Sequence, residues 1–145
     1  MSDTKTDVAT VRSRVQGMLT EIGSVTVDKD GEFSFADGST RVFIQVVEFE
    51  TFNVVQVYTP VLRQVPLTPS FYEYVALHAD DYVFGNLALS KMEDGTGFLV
   101  FAYSILADYL DFEELHRAVG AVASTGDTID DQLKAQFGGK RFMDP

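Results

Sequence analysis

The stretch 41-RVFIQVVEFETFNVVQVYTPVLRQV-65 decides what kind of molecule this is. It is β-branched or aromatic almost throughout, the composition that suits a pleated, half-buried surface, and only the region from Glu50 to Asn53 breaks it. Two long antiparallel strands follow, ending between Pro60 and Pro66, where proline withdraws a ladder donor. Upstream, Asp30-Gly31 and Asp37-Gly38 divide 24-SVTVDKDGEFSFADGSTRVF-43 into short β-rich runs; both dipeptides reach positive φ easily and favour tight hairpin turns. Downstream, 81-DYVFGNLALS-90 and 97-GFLVFAYSIL-106 read as a second hairpin, joined through 91-KMEDGTG-97.

Helices punctuate these strands. From Thr4 to Ile22, the residues Val8, Val11, Val15, Leu19 and Ile22 recur at spacings of three and four, one stripe of a helix that Gly23 stops. Thr68 is placed to cap a second helix with Pro69 in its first turn and Phe71, Val75 and His78 on one face. Asp111 with Glu114 forms a reciprocal cap for a third, which runs to about Phe137 before Gly138-Gly139. The order α, several β, α, β, β, α, with strands in segregated runs, predicts an α+β fold on an antiparallel sheet. One domain is expected over residues 1–145, with 140–145 a flexible tail.

Composition narrows the function. Hydrophobic residues make up 46% and charged residues 23%, ordinary for a globular domain. Acidic residues outnumber basic ones by 22 to 11, a net charge of -11, so nucleic acid and anionic membrane surfaces are repelled. There is no cysteine, hence no disulfide framework and no thiolate chemistry. The first residues lack the apolar core of a signal peptide, and no apolar run approaches the ~18 residues of a membrane span. A cytoplasmic protein is expected.

No motif announces catalysis. His78 and His116 lie on separate predicted helices without paired-ligand spacing, and there is no G-x-S-x-G elbow. Neither GTGF (95–98) nor GGKRF (138–142) precedes a helix, so neither presents an N-terminus to phosphate. DKDGEF (28–33) has its glycine too early for a calcium loop. Asp127, Asp130 and Asp131 would be the carboxylates of an acidic metal-dependent enzyme; turned at about 100° per residue they fall off the apolar stripe of the last helix, with Asp130 four residues before Lys134, which predicts a solvated face instead. No cofactor, no metal site and no enzymatic activity are expected.

The strands are more informative. Val42, Ile44 and Val46 oppose Phe43, Val47 and Phe49; Phe98 and Val100 oppose Leu99, Phe101 and Tyr103; Val83, Leu87 and Leu89 oppose Tyr82 and Phe84. A sheet covered on one side should alternate between apolar and polar, and this one alternates poorly. Either the helices cover both faces or a second polypeptide covers one, an isologous dimer being the simplest form. Phe84, Leu87, Phe98, Val100 and Phe101 are the candidate protein-binding residues.

GSTRVFIQVVEF (38–49), VVQVYTPVLRQVPLTPSFYEYVALHADDYVFGNLALS (54–90) and LADYLDFEELHRAVGAVASTGDTIDDQLKAQFGG (106–139) resemble the YbjN-type domain, a type III secretion chaperone-like family. The resemblance is to a fold, over about Gly38 to Gly139. It implies an α-β-β-β-α-β-β-α order and a small, acidic, cytoplasmic homodimer that holds an extended segment of a client protein against apolar sheet and helix surfaces. It equally implies the alternative of a regulatory adaptor in stress or sensory signalling. The function expected is a non-enzymatic module that shields an apolar or strand-forming client segment by strand addition and side-chain pockets.

Overall fold

The computed structural model describes residues 5–38 and 40–145. Its elements are α1 (Val8–Ile22), β1 (Thr26–Val27), β2 (Phe33–Asp37), β3 (Thr40–Glu48), β4 (Asn53–Val65), α2 (Pro69–His78), β5 (Asn86–Lys91), β6 (Gly97–Leu106) and α3 (Phe112–Phe137). The fold is therefore α+β as expected, with the two-residue β1 as one strand more than the order the family resemblance implies. Thr4, the expected start of the first helix, lies outside the described residues. Asp7 caps α1 instead, accepting from the Thr10 N–H.

The strands form one antiparallel sheet in the order β1-β2-β3-β4-β6-β5. β4 is its spine, pairing with β3 on one side and along the whole of β6 on the other. It runs through Pro60 and ends at Val65, inside the interval the prolines mark, and the ladder to β6 shifts register twice, between Pro60 and Leu62 and again before Val65. Gln64, at a φ of 55°, takes up part of that shift in left-handed backbone.

All three helices lie on one face. Val42, Ile44, Val55, Val57, Leu99 and Phe101 on that face are essentially inaccessible, as are Val11, Val15 and Leu19 of α1 and Leu115, Val122 and Leu133 of α3. At roughly 25 cal/mol per Å² of apolar surface, each such aliphatic side chain contributes about 1.5–3 kcal/mol. α3 lies across the middle of the sheet: a Cβ on Gly126 would stand 2.4 Å from Thr59 Cγ2. α2 joins the same layer, Phe71 and Tyr74 packing on Phe137 at 5.1 and 5.2 Å between ring centroids.

The opposite face carries no helix, which removes the alternative of helices on both sides. Its cross-strand pairs are Phe43 with Tyr58, stacked at 5.3 Å, Gln45 with Gln56, joined through their amides at 2.6 Å, and Val47 with Val54. The stretch expected to be a flexible tail has contacts with β4, with Phe43 and with α3. Lys140 exchanges both main-chain hydrogen bonds with Arg63 at 2.8 Å, and Phe142 meets Phe43 edge-on at 5.8 Å. Asp144 receives Lys134 and Arg141. Those hydrogen bonds, Lys134 first and Arg141 next, hold the Asp144 carboxyl well below the usual carboxylate range.

One polar cluster fastens the start of α1 to the sheet. Asp108, just after β6, accepts from the Thr6 N–H at 2.7 Å, the Asn53 N–H at 2.8 Å and Asn53 Nδ2 at 3.0 Å, and Asn53 Nδ2 also donates to the Thr6 carbonyl at 2.7 Å. Burial pushes the Asp108 carboxyl up, but the N–H groups of Asn53 and Thr6 and the Asn53 amide pull it further down, so it sits below its ordinary value.

Candidate functional site

The five candidate residues do not form one surface. Leu87 is 3% exposed and Phe101 is inaccessible; both point into the helix layer, where neither can meet a partner without unpacking the core. Phe98 and Val100 alternate with Leu99 and Phe101 along β6 and so face the helix-free side. Phe84 alone, 47% exposed, stands at the rim of a groove beside the helices.

Gly85 explains why Phe84 is there. The expected strand from Asp81 begins only at Asn86, because Gly85 holds a φ of 98° and passes so close to β6 that a Cβ would meet the Ala102 carbonyl at 2.7 Å. The alternation read across 81–90 stops at that glycine. Val83 turns outward at 90% exposure, while Tyr82 and Phe84 both drop toward the helix side, edge-on to Phe101 and Tyr103 at 4.8 and 5.8 Å.

The late start of β5 leaves a strand edge open. β6 pairs with β4 from Gly97 to Leu106, but with β5 only from Gly97 to Ala102. In an antiparallel ladder successive residues direct their N–H and C=O to opposite sides. The Ala107 N–H donates to the Asn53 carbonyl, so the odd-numbered residues of β6 are turned to β4; the Leu87 N–H donates to the Ala79 carbonyl, away from β6, which gives the same phase from the other edge. Ser104 and Leu106 therefore direct their main-chain groups outward beyond the end of β5, and among the described residues no strand lies beside them. Leu106 is 60% exposed.

Next to that edge, Phe84, Tyr103, Ile105 and Ala118, with Glu114 and Arg117 at the mouth, line a hollow of about 230 Å³ between β6 and α3. Sequence reasoning found Phe84 but missed Tyr103, Ser104, Ile105 and Leu106. The signal was present as a ten-residue β6 run facing a partner run broken by Gly85. Four main-chain hydrogen-bonding groups beside an apolar slot can take up a further extended strand, whose own groups satisfy theirs and whose side chains alternate between the slot and Leu106.

The acidic cluster is dispersed. Asp127 abuts Gly38 of the β2–β3 turn, where a Cβ would lie 2.5 Å from its Oδ1. Asp130 is 1% exposed, not on a solvated face, because the β2–β3 hairpin comes down on that flank of α3. Asp131 pairs with Arg141 at 2.7 Å, and Lys134 with Asp144 at 2.7 Å in place of the expected Asp130. Among the described residues no group of three or more His, Asp or Glu side chains converges as a metal site would require. His78 bonds to Asp81 at 2.7 Å; His116 stacks near Phe112, with 5.3 Å between ring centroids. Among the described residues no helix is long and apolar enough to cross a membrane.

Comparison with known proteins agrees with this architecture. The crystal structure of YbjN from E. coli, described as a putative transcription regulator, superposes with a TM-score of 0.67 over 87% of this chain and 93% of that one, at 14% identity, a likeness of fold. No protein of curated function matches the sequence. A family profile matches residues 9–145, nearly the whole chain, and so the chain belongs to the family described as T3SS (YopN, CesT) and YbjN peptide-binding chaperone 1.

Proposed function

We propose that this protein is a non-enzymatic, cytoplasmic peptide-binding module, which shields an apolar, strand-forming segment of a client protein by adding it to the free edge of β6. The observation that carries this reading is the pair Ser104 and Leu106, whose main-chain groups face solvent beside the slot of Phe84, Tyr103, Ile105 and Ala118. The bound strand lies in line with β5, places alternate side chains in the slot, and leaves the others against Leu106 and its cross-strand neighbour Val54. Family membership supports a peptide as the ligand.

A second copy of the chain associates through the helix-free face in this reading. Phe49 and Phe52, stacked at 5.0 Å and 47% and 38% exposed, lie beyond Val47 at the end of the β3–β4 hairpin, an apolar patch of the kind an isologous contact covers. Light scattering on the purified chain tests this directly: twice the chain's 16.1 kDa is expected, and the monomer mass refutes it.

The test of the binding mode is Ser104→Pro. The substituted N–H faces solvent, so the fold survives, while an added strand loses a donor it needs. Peptides selected from a random dodecapeptide phage library on the wild-type protein are expected to bind Ser104→Pro at least about tenfold more weakly, the equivalent of ~1.4 kcal/mol. Equal binding refutes strand addition at β6.

A further inference from the structure

The slot beside β6 is the first of three hollows in series. It shares Phe84 and Arg117 with a second, of about 540 Å³, and that one shares His116 and Gly120 with a third, of about 420 Å³, on the far side of α3. The third is floored by Phe35 and Val42 of the sheet, walled by Ile22, Val119 and Ala123, and has Asp37 on its rim. Gly120 forms the low point of α3 between the two larger hollows. Packing does not ask for it: no heavy atom of another element or side chain lies within 4 Å of where its Cβ would be, in contrast to Gly126 six residues on. A glycine in a helix interior weakens the helix, and here the only thing it gains is clearance over the helix backbone.

The charge at the third hollow has a definite sign. Asp37 is its one carboxylate, no ion pair among the described residues engages it, and the chain as a whole carries -11. An apolar floor with a carboxylate at the rim complements an aliphatic or aromatic side chain flanked by a cation.

We propose that the third hollow is a second anchor for the same bound segment: it takes one large apolar side chain, Asp37 holds a neighbouring Lys or Arg, and the segment's backbone crosses α3 at Gly120. The client is thereby an extended peptide with two separated recognition elements, a strand-forming run for β6 and an apolar–basic pair for the hollow at Phe35 and Val42. This rests on the reading that a segment binds at β6, and the test keeps the two apart.

The random dodecapeptide library is selected on the full chain, on Asp37→Lys and on Gly120→Tyr, each confirmed folded by its thermal melt. Wild type is expected to enrich an apolar residue beside Lys or Arg, and Asp37→Lys to lose that preference. Peptides carrying the pair are expected to bind Gly120→Tyr at least about tenfold more weakly, and Gly120→Ala with a smaller loss. That Ala loss has a signature no structural role produces, because the same substitution strengthens the helix. Peptides weakened by Ser104→Pro but indifferent to Asp37→Lys and Gly120→Tyr overturn the second anchor and leave the β6 edge standing. Peptides indifferent to Ser104→Pro but weakened by Asp37→Lys and Gly120→Tyr support the anchor and overturn the edge. No enrichment above that on an unrelated acidic protein overturns both.

Discussion

Replacing Gly126 and Gly120 by alanine, one at a time, puts the helix–sheet geometry to a test with an internal control. Both glycines lie in α3, and each alanine gains about 1 kcal/mol of intrinsic helix preference. At Gly120 nothing opposes that gain, since the new methyl meets open space, so Gly120→Ala is expected to stabilise by ~0.5–1 kcal/mol. At Gly126 the methyl would stand 2.4 Å from Thr59 Cγ2, an overlap that something must relieve. Thr59 is fully buried and cannot swing aside freely: its hydroxyl is 2.8 Å from that of Thr40 and donates to the Arg41 carbonyl at 3.0 Å. Moving α3 away forfeits packing, at ~1–3 kcal/mol, and rotating Thr59 strands a buried hydroxyl at a comparable loss. Set against the helix gain, Gly126→Ala is destabilising by up to about 2 kcal/mol, and since that gain is common to both, the two variants should differ by about 1–3 kcal/mol. Urea unfolding monitored by circular dichroism measures this as opposite shifts of the midpoint at unchanged slope. If Gly126→Ala stabilises as much as Gly120→Ala, the close approach of α3 to β4 at Thr59 is refuted.

Asp108→Asn should flatten the acid limb of the stability curve. A carboxyl held below its ordinary pKa adds stability that is fully present above the unfolded value of about 3.9 and is lost as pH falls through the lower folded value, so the difference between wild type and variant should shrink below about pH 4. Asp144, also depressed, likewise contributes stability that falls away on the acid side, and only the part removed by Asp108→Asn belongs to the clamp; unfolding midpoints measured from pH 7 to pH 3 check it. Gln64→Gly should raise stability by ~0.5–1 kcal/mol, since an exposed non-glycine residue at a φ of 55° is relieved without losing a packed side chain; an unchanged or lower midpoint in urea counts against the left-handed backbone there.

The parts of the fold legible in the sequence are those written in local chemistry. Pro69 after Thr68, and Asp111 with Glu114, mark helix starts because capping involves neighbours three residues apart, and the structure has both caps, the second as a full reciprocal box. The break at Glu50 to Asn53 separates β3 from β4 for the same local reason. Legibility failed where a distant segment decided the outcome. Asp130 lies off the apolar stripe by helical arithmetic, yet is buried, because the β2–β3 hairpin closes on that flank. Val83 shares a strand parity with Leu87 and Leu89, but Gly85 breaks the count before it takes effect. Of the candidate site, Phe84 could be picked from its type. The open edge at Ser104 and Leu106 could not, since it arises from how far β5 reaches along β6, a matter of register between strands that no run of residues states alone.

The β4–β6 seam also sets the order in which the molecule can come into being. Its two strands are separated in sequence by α2 and β5, so the middle of the sheet joins residues from 32 positions apart, Val65 to Gly97, to 52 apart, Val54 to Leu106. A chain emerging from the ribosome N-terminus first can close the β1–β4 meander early, but its longest strand must then wait, one whole flank unzipped, until the tenth residue of β6 has been synthesised. Nascent molecules are thus most vulnerable to one another along Val55, Val57 and Thr59, and the first event that ends the danger is long-range zippering rather than any local turn.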